Sequence, residues 1–118
     1  MANILLVDDD ASMRSLVARA LTSDGHSVTE AGDGETALDT LDRTPGFSLL
    51  LTDVQMPGMD GLTLAARASA AAPSLRIVVI SALELEAVRS GKLGPTARWL
   101  AKPFTLDQIR AEVRAALA

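Results

Sequence analysis

Short apolar runs alternate with longer amphipathic stretches along the whole chain. After a first run from Asn3 to Val7, Met13, Leu16, Val17, Ala20 and Leu21 recur at the spacing of one buried helical face. Asp24-Gly25 stops that helix. Ser27 to Glu30 makes a weak second strand, expected near a sheet edge. Asp33 can cap a second helix, which carries Ala37, Leu38 and Leu41 and ends before Pro45-Gly46. Ser48 to Thr52 leads into Asp53, and its uninterrupted leucines suit a strand covered on both faces. The loop Val54 to Met59 then reaches Asp60, a good N-cap for a third helix running to about Ala72. A fourth strand spans Arg76 to Ile80, a shorter helix Glu84 to Ser90, and a fifth strand Ala97 to Ala101. Thr105 and Gln108 form a capping box for the last helix, whose stripe is Leu106, Ile109, Val113, Ala116 and Leu117. Five β–α units predict an α/β fold with a doubly wound parallel sheet, one domain over residues 1–118.

The polar residues that end the apolar runs carry the candidate chemistry. Asp8 and Asp9 follow Val7, Asp53 follows Thr52, Ser81 follows Ile80, and Lys102 follows Ala101. In a parallel sheet all these ends open on one edge, where open α/β folds bind ligands. Carboxylates crowded there repel one another unless a cation joins them. Adjacent strand residues face opposite ways, but a chain turning just past the strand lets Asp8 and Asp9 both reach over its end. Magnesium takes carboxylates, waters and a phosphate in octahedral geometry, so this donor set suits it. An aspartate is also a competent nucleophile for phosphoryl groups. Lys102 and the Ser81 hydroxyl could then hold phosphoryl oxygens.

Composition narrows the function classes. Setting aside Asp8, Asp9 and Asp53, the 15 acids and 11 bases become 12 against 11, so the excess negative charge comes largely from the site. A pI near 4.8 with no basic stripe argues against direct nucleic-acid binding. There is no cysteine, which excludes disulfide, thiol and zinc-ribbon chemistry. The apolar runs are far shorter than the roughly 20 residues of a membrane span, and no signal-like segment opens the chain. A cytoplasmic location is expected.

Ile4-Leu5-Leu6-Val7-Asp8-Asp9-Asp10, Leu51-Thr52-Asp53-Val54-Gln55-Met56-Pro57-Gly58-Met59-Asp60-Gly61, Ser81-Ala82 and Lys102-Pro103-Phe104 resemble the receiver domains of two-component response regulators. The resemblance covers essentially the whole chain. It implies a flavodoxin-like (βα)5 fold with strand order 2-1-3-4-5. It makes Asp53 the acceptor of a phosphoryl group from a histidine kinase or histidine phosphotransferase. Asp8 and Asp9 match the acidic pair that handles Mg2+, for which Mn2+ can substitute, and Gln55 matches the position lending a backbone carbonyl to the metal. Ser81 matches the switch hydroxyl, Lys102 the phosphate-binding lysine, and Trp99 the switch aromatic, where Tyr, Phe or His is more usual. A cis peptide is expected before Pro103.

The departures are equally specific. Leu83, two residues after Ser81, flanks the phosphoryl pocket beside Gln55 and cannot orient water, so a lasting phosphoryl state is expected. A half-life as short as that of the fastest-turning regulators would contradict this. Gly94-Pro95-Thr96-Ala97 replaces the usual Gly-Ala, which alters a common output face. The chain also looks like the CpdR-like single-domain regulators that control AAA+ proteolysis in alphaproteobacteria. Met1 and a last helix that closes the fifth unit favour a stand-alone regulator over a receiver piece of a longer chain. It would act as a monomer or a phosphorylation-dependent dimer on a downstream protein that the sequence does not identify.

Blander readings stand beside these. Asp8 and Asp9 could merely cap the first helix; Asp10 reads as a cap or a surface acid, and Asp60 as a cap. His26 lies in a turn and reads as solvent-facing. Met56 and Met59 read as structural, and Trp99 could be plain, partly buried surface. Two other functions use the same residues. A small HAD-like Mg2+-dependent phosphatase also needs an Asp nucleophile, but Ala11-Ser12 stands where that family shows Gly-Thr. A constitutive interaction module would never be phosphorylated.

Overall fold

The computed structural model describes residues 2–81 and 97–118. Its elements are β1 (Asn3–Val7), α1 (Ala11–Ser23), β2 (Ser27–Ala31), α2 (Gly34–Arg43), β3 (Leu49–Asp53), α3 (Gly61–Ala71), β4 (Arg76–Ser81), β5 (Arg98–Ala101) and α4 (Leu106–Leu117). The expected helix over 84–90, Leu83 and Gly94-Pro95-Thr96 lie outside the described residues. All strand pairs are parallel and the order is β2-β1-β3-β4-β5, as the (βα)5 resemblance implies. Among the described residues no helix is long and apolar enough to cross a membrane.

Strand periodicity builds two cores. Ile4, Leu6, Leu49, Leu51, Val78 and Ile80 pack on one face with Val17 and Leu21 of α1 and Ile109 and Val113 of α4. Leu5, Val7, Leu50, Ile77 and Val79 face the other way, against Ala37 of α2 and Leu64, Ala65 and Ala68 of α3. Leu49, Leu50 and Leu51 are wholly buried, which explains a run without polar alternation. Each such side chain contributes about 1.5–3 kcal/mol by leaving water. The two-sided burial makes β3 a rigid central support for Asp53.

Local signals place the helix starts. The Asp10 carboxylate accepts from the Ser12 and Met13 amides, so it, not Asp8 or Asp9, caps α1. Asp33 and Asp60 cap α2 and α3 by accepting from the Thr36 and Thr63 amides. The Thr105–Gln108 capping box at α4 is complete. One expectation fails: Leu16 is 46% exposed. The buried stripe of α1 is centred on Val17 and Leu21, with Ala18 and Ala20 on its shoulders, and Leu16 lies beyond the Ala20 side.

Candidate functional site

The parallel register brings the run-ending residues to one edge. Val7 pairs with Thr52, Asp53 with Ile80, and Ser81 with Ala101, so β1, β3, β4 and β5 finish nearly level. Asp8, Asp53 and Ser81 are buried, whereas Asp9 is exposed. One carboxylate oxygen from each of Asp8, Asp9 and Asp53 lies within 4.8 Å of the other two. Three hard oxygen donors at that spacing, two of them from buried groups, can hold a divalent cation.

Asp53 is clamped from two sides. Lys102 Nζ donates to its Oδ2 at 2.7 Å, and the Gln55 amide donates to its Oδ1 at 3.4 Å. The backbone delivers the lysine: the Lys102 amide donates to the Ser81 carbonyl at 3.0 Å, extending the β4–β5 pairing by one bond. The Lys102–Pro103 peptide, cis, follows immediately. Trp99 sits two residues before Ala101, opposite Val79, and is partly buried against the α2–α3 core.

The charges are imperfectly balanced. Burial raises the Asp8 pKa above its ordinary value, and the Asp53 and Asp9 charges add to this; the Asp10 amide and Lys102 only partly offset it. Burial works against the Lys102 ammonium, but its hydrogen bond to Asp53 and the Asp53, Asp8 and Asp9 charges outweigh that and raise its pKa. The lysine is thus firmly protonated, and among the described residues one cation faces three carboxylates. A divalent ion is the simplest complement.

The loop after Asp53 is held by contacts that the residue types alone did not disclose. A Cβ on Gly61 would overlap the Asp53 carbonyl oxygen and stand 2.8 Å from Val54 Cα. Gly61 donates its amide to the Val54 carbonyl at 2.9 Å, which needs that close approach. Met56 is buried in the α2–α3 core and Met59 packs against it, in keeping with structural roles. Met59 also fills the space a side chain would need at Gly34. Arg14 was also missed: its Nη1 donates to the Asp8 carbonyl at 2.6 Å. His26, expected to face solvent, is instead part-buried because its Nδ1 accepts from the Ala2 amide, away from the acids.

The chain is similar to known proteins over nearly its whole length. The chain is 40% identical over 114 residues to the response regulator receiver protein CpdR of Brucella abortus, covering 96% of this chain and 94% of that protein. It is 38% identical to the DNA-binding transcriptional regulator NtrC of Klebsiella pneumoniae, over 96% of this chain but only 24% of NtrC. Among solved structures, response regulator TrrA of Thermotoga maritima in complex with Mg(2+)-BeF superposes with a TM-score of 0.85 at 26% identity, covering 99% of this chain and 100% of that one. The response regulator receiver domain profile matches residues 4–114. With that profile spanning residues 4–114 and CpdR matched over 94% of its own length, the chain belongs to the receiver domain family of two-component response regulators.

Proposed function

We propose that this chain is a phosphorylation-driven switch in which Asp53 accepts a phosphoryl group from a histidine kinase or a histidine phosphotransferase. The observation that carries the proposal is the joint placement of Lys102, 2.7 Å from Asp53, and the oxygens of Asp8, Asp9 and Asp53 within 4.8 Å of one another. An Asp53 oxygen forms a bond to phosphorus as the bond to the donor's imidazole nitrogen breaks, and the electron pair leaves with that nitrogen. Asp8, Asp9 and Asp53, with the Gln55 carbonyl, are the proposed ligands of Mg2+, for which Mn2+ can stand in. That ion supplies positive charge where the transferring group accumulates negative charge. The Mg(2+)-BeF complex of TrrA supports the choice of metal.

The other residues act on the phosphorylated state. Phosphorylation adds about −1.5 to −2 charge at Asp53. Lys102 would exchange its carboxylate partner for a phosphoryl oxygen, and the Ser81 hydroxyl would donate to another. Both residues end neighbouring strands, so their new contacts bias β4 and β5 towards one of two packed arrangements, with Trp99 following. The readout is a protein contact in the cytoplasm, not turnover of an external substrate. An acidic chain, with a pI near 4.8 and no basic stripe, favours a protein target over DNA.

Acetyl phosphate with Mg2+ tests the proposal by intact-mass measurement. The wild type gains one phosphoryl mass, and Asp53→Asn and EDTA each abolish the gain. A wild type that gains none contradicts the switch reading. Sustained release of phosphate from generic phosphoesters by Asp53→Asn would instead favour a phosphatase.

A further inference from the structure

Asp8 is held through its amide, its carbonyl and one carboxylate oxygen. Its amide donates to the Ala31 carbonyl at 3.2 Å, its Oδ1 accepts from the Asp10 amide at 2.9 Å, and its carbonyl accepts from Arg14 Nη1 at 2.6 Å. The same guanidinium donates through Nε to Glu30 Oε1 on the edge strand β2, at 3.1 Å. Gly32 passes close by, for a Cβ there would stand 3.5 Å from Nη1. Arg14 is therefore wedged between the end of β1, the edge strand and the turn after it, with its side chain only 21% exposed.

This contact bears on how two adjacent aspartates can serve one ion. Were β1 to continue, Asp9 would face the opposite side of the sheet from Asp8. Instead their oxygens lie within 4.8 Å of each other, so the peptide between them has turned. The carbonyl that Arg14 holds belongs to that peptide. We propose that Arg14 is a positioning residue for the divalent cation: by holding the Asp8 carbonyl it fixes the turned Asp8–Asp9 peptide and so brings both carboxylates to one ion. Glu30 has a matching task. It pairs the guanidinium, so that Arg14 contributes directional hydrogen bonds without competing as a charge for the carboxylates.

The inference rests on reading the acid trio as a Mg2+ site, and its test separates the two. Mg2+ binding is measured calorimetrically, and Mn2+ binding by electron paramagnetic resonance, for the wild type, Arg14→Ala and Arg14→Lys. Thermal melts in EDTA accompany each variant. Arg14→Ala should bind Mg2+ about tenfold more weakly, the scale of losing a group that orients a metal ligand. Arg14→Lys, which keeps a donor for the carbonyl, should recover part of that loss. Phosphorylation of Arg14→Ala by acetyl phosphate should fall at limiting Mg2+ and return to the wild-type rate at saturation. Wild-type Mg2+ affinity in both variants, even with lowered melting temperatures, would overturn the positioning role and leave the metal site standing. A wild type that binds neither ion would overturn both. Should Arg14→Ala not fold, Arg14→Lys carries the comparison: its Mg2+ affinity must lie measurably below wild type, and equality refutes the inference.

Discussion

Asp8→Asn should stabilise the metal-free protein at neutral pH, although it removes a charged group from a functional site. Asp8 and Asp53 are both buried, and their oxygens lie within 4.8 Å of each other. At an effective dielectric constant of about 20, two unit charges at that distance repel by about 3.5 kcal/mol. Lys102 offsets part of this, because its ammonium also attracts Asp8. Asparagine keeps an oxygen that can accept from the Asp10 amide, so the substitution sacrifices little hydrogen bonding. The net gain should be about 1–2 kcal/mol, or about 3–8 °C in melting temperature for a domain of this size. The sign with pH follows from the raised Asp8 pKa. A carboxyl that binds its proton more tightly in the folded state contributes stability at low pH. That contribution is lost as pH rises from the unfolded pKa through the folded one. The advantage of the variant should therefore be near zero below about pH 3, where Asp8 is largely neutral in both states, and reach its full value at neutral pH. Urea denaturation followed by circular dichroism in EDTA, across a pH series, measures the difference directly. With Mg2+ added, the wild type should gain stability by ligand binding and the variant should gain much less. A variant no more stable than wild type in EDTA at neutral pH, or an advantage that does not shrink towards acid, would refute the repulsion argument.

Three further outcomes follow from named contacts. Gly61→Ala should destabilise by about 1–3 kcal/mol by urea denaturation and slow phosphorylation, since its Cβ meets backbone atoms of Asp53 and Val54 that have no room to yield. Lys102→Gln should cost about 1–2 kcal/mol at neutral pH, a figure reduced because the lysine side chain is 30% exposed. Because the Lys102 pKa is raised, its contribution is fully present below the unfolded pKa and lost as pH rises through the folded one. Alkaline melts of wild type and Lys102→Gln should therefore converge only above about pH 10.4. Leu16→Glu should shift the melting temperature only slightly, by less than about 0.5 kcal/mol equivalent, because this leucine lies outside the core.

What could be read from the sequence was what local chemistry decides. The caps at Asp33, Asp60 and Thr105 depend on a side chain and an amide three residues away, so they are visible in the chain itself. The strand order and the meeting of Asp8, Asp9, Asp53 and Lys102 were legible because each closes an apolar run, and the order follows from the family resemblance. Leu16 misled because helical spacing defines a stripe about 100° wide without fixing its centre. Only the packing of Val17 and Leu21 against the sheet locates it. Arg14 was invisible for a different reason. Its partners are a backbone carbonyl and Glu30 on a neighbouring strand, and neither follows from residue types near Arg14. Gly61 merely follows the Asp60 cap in the chain; its need to clear the Asp53 carbonyl arises only once the loop has closed.

The most direct test of the central claim locates the phosphoryl group rather than detecting it. Wild-type protein loaded by acetyl phosphate and Mg2+ is treated with borohydride, which reduces an acyl phosphate to an alcohol, and the peptides are sequenced by mass spectrometry. Homoserine should appear at position 53, dependent on both acetyl phosphate and Mg2+, with Asp8 and Asp9 unmodified. Homoserine at position 8 or 9, or label that forms equally well in EDTA, would contradict it.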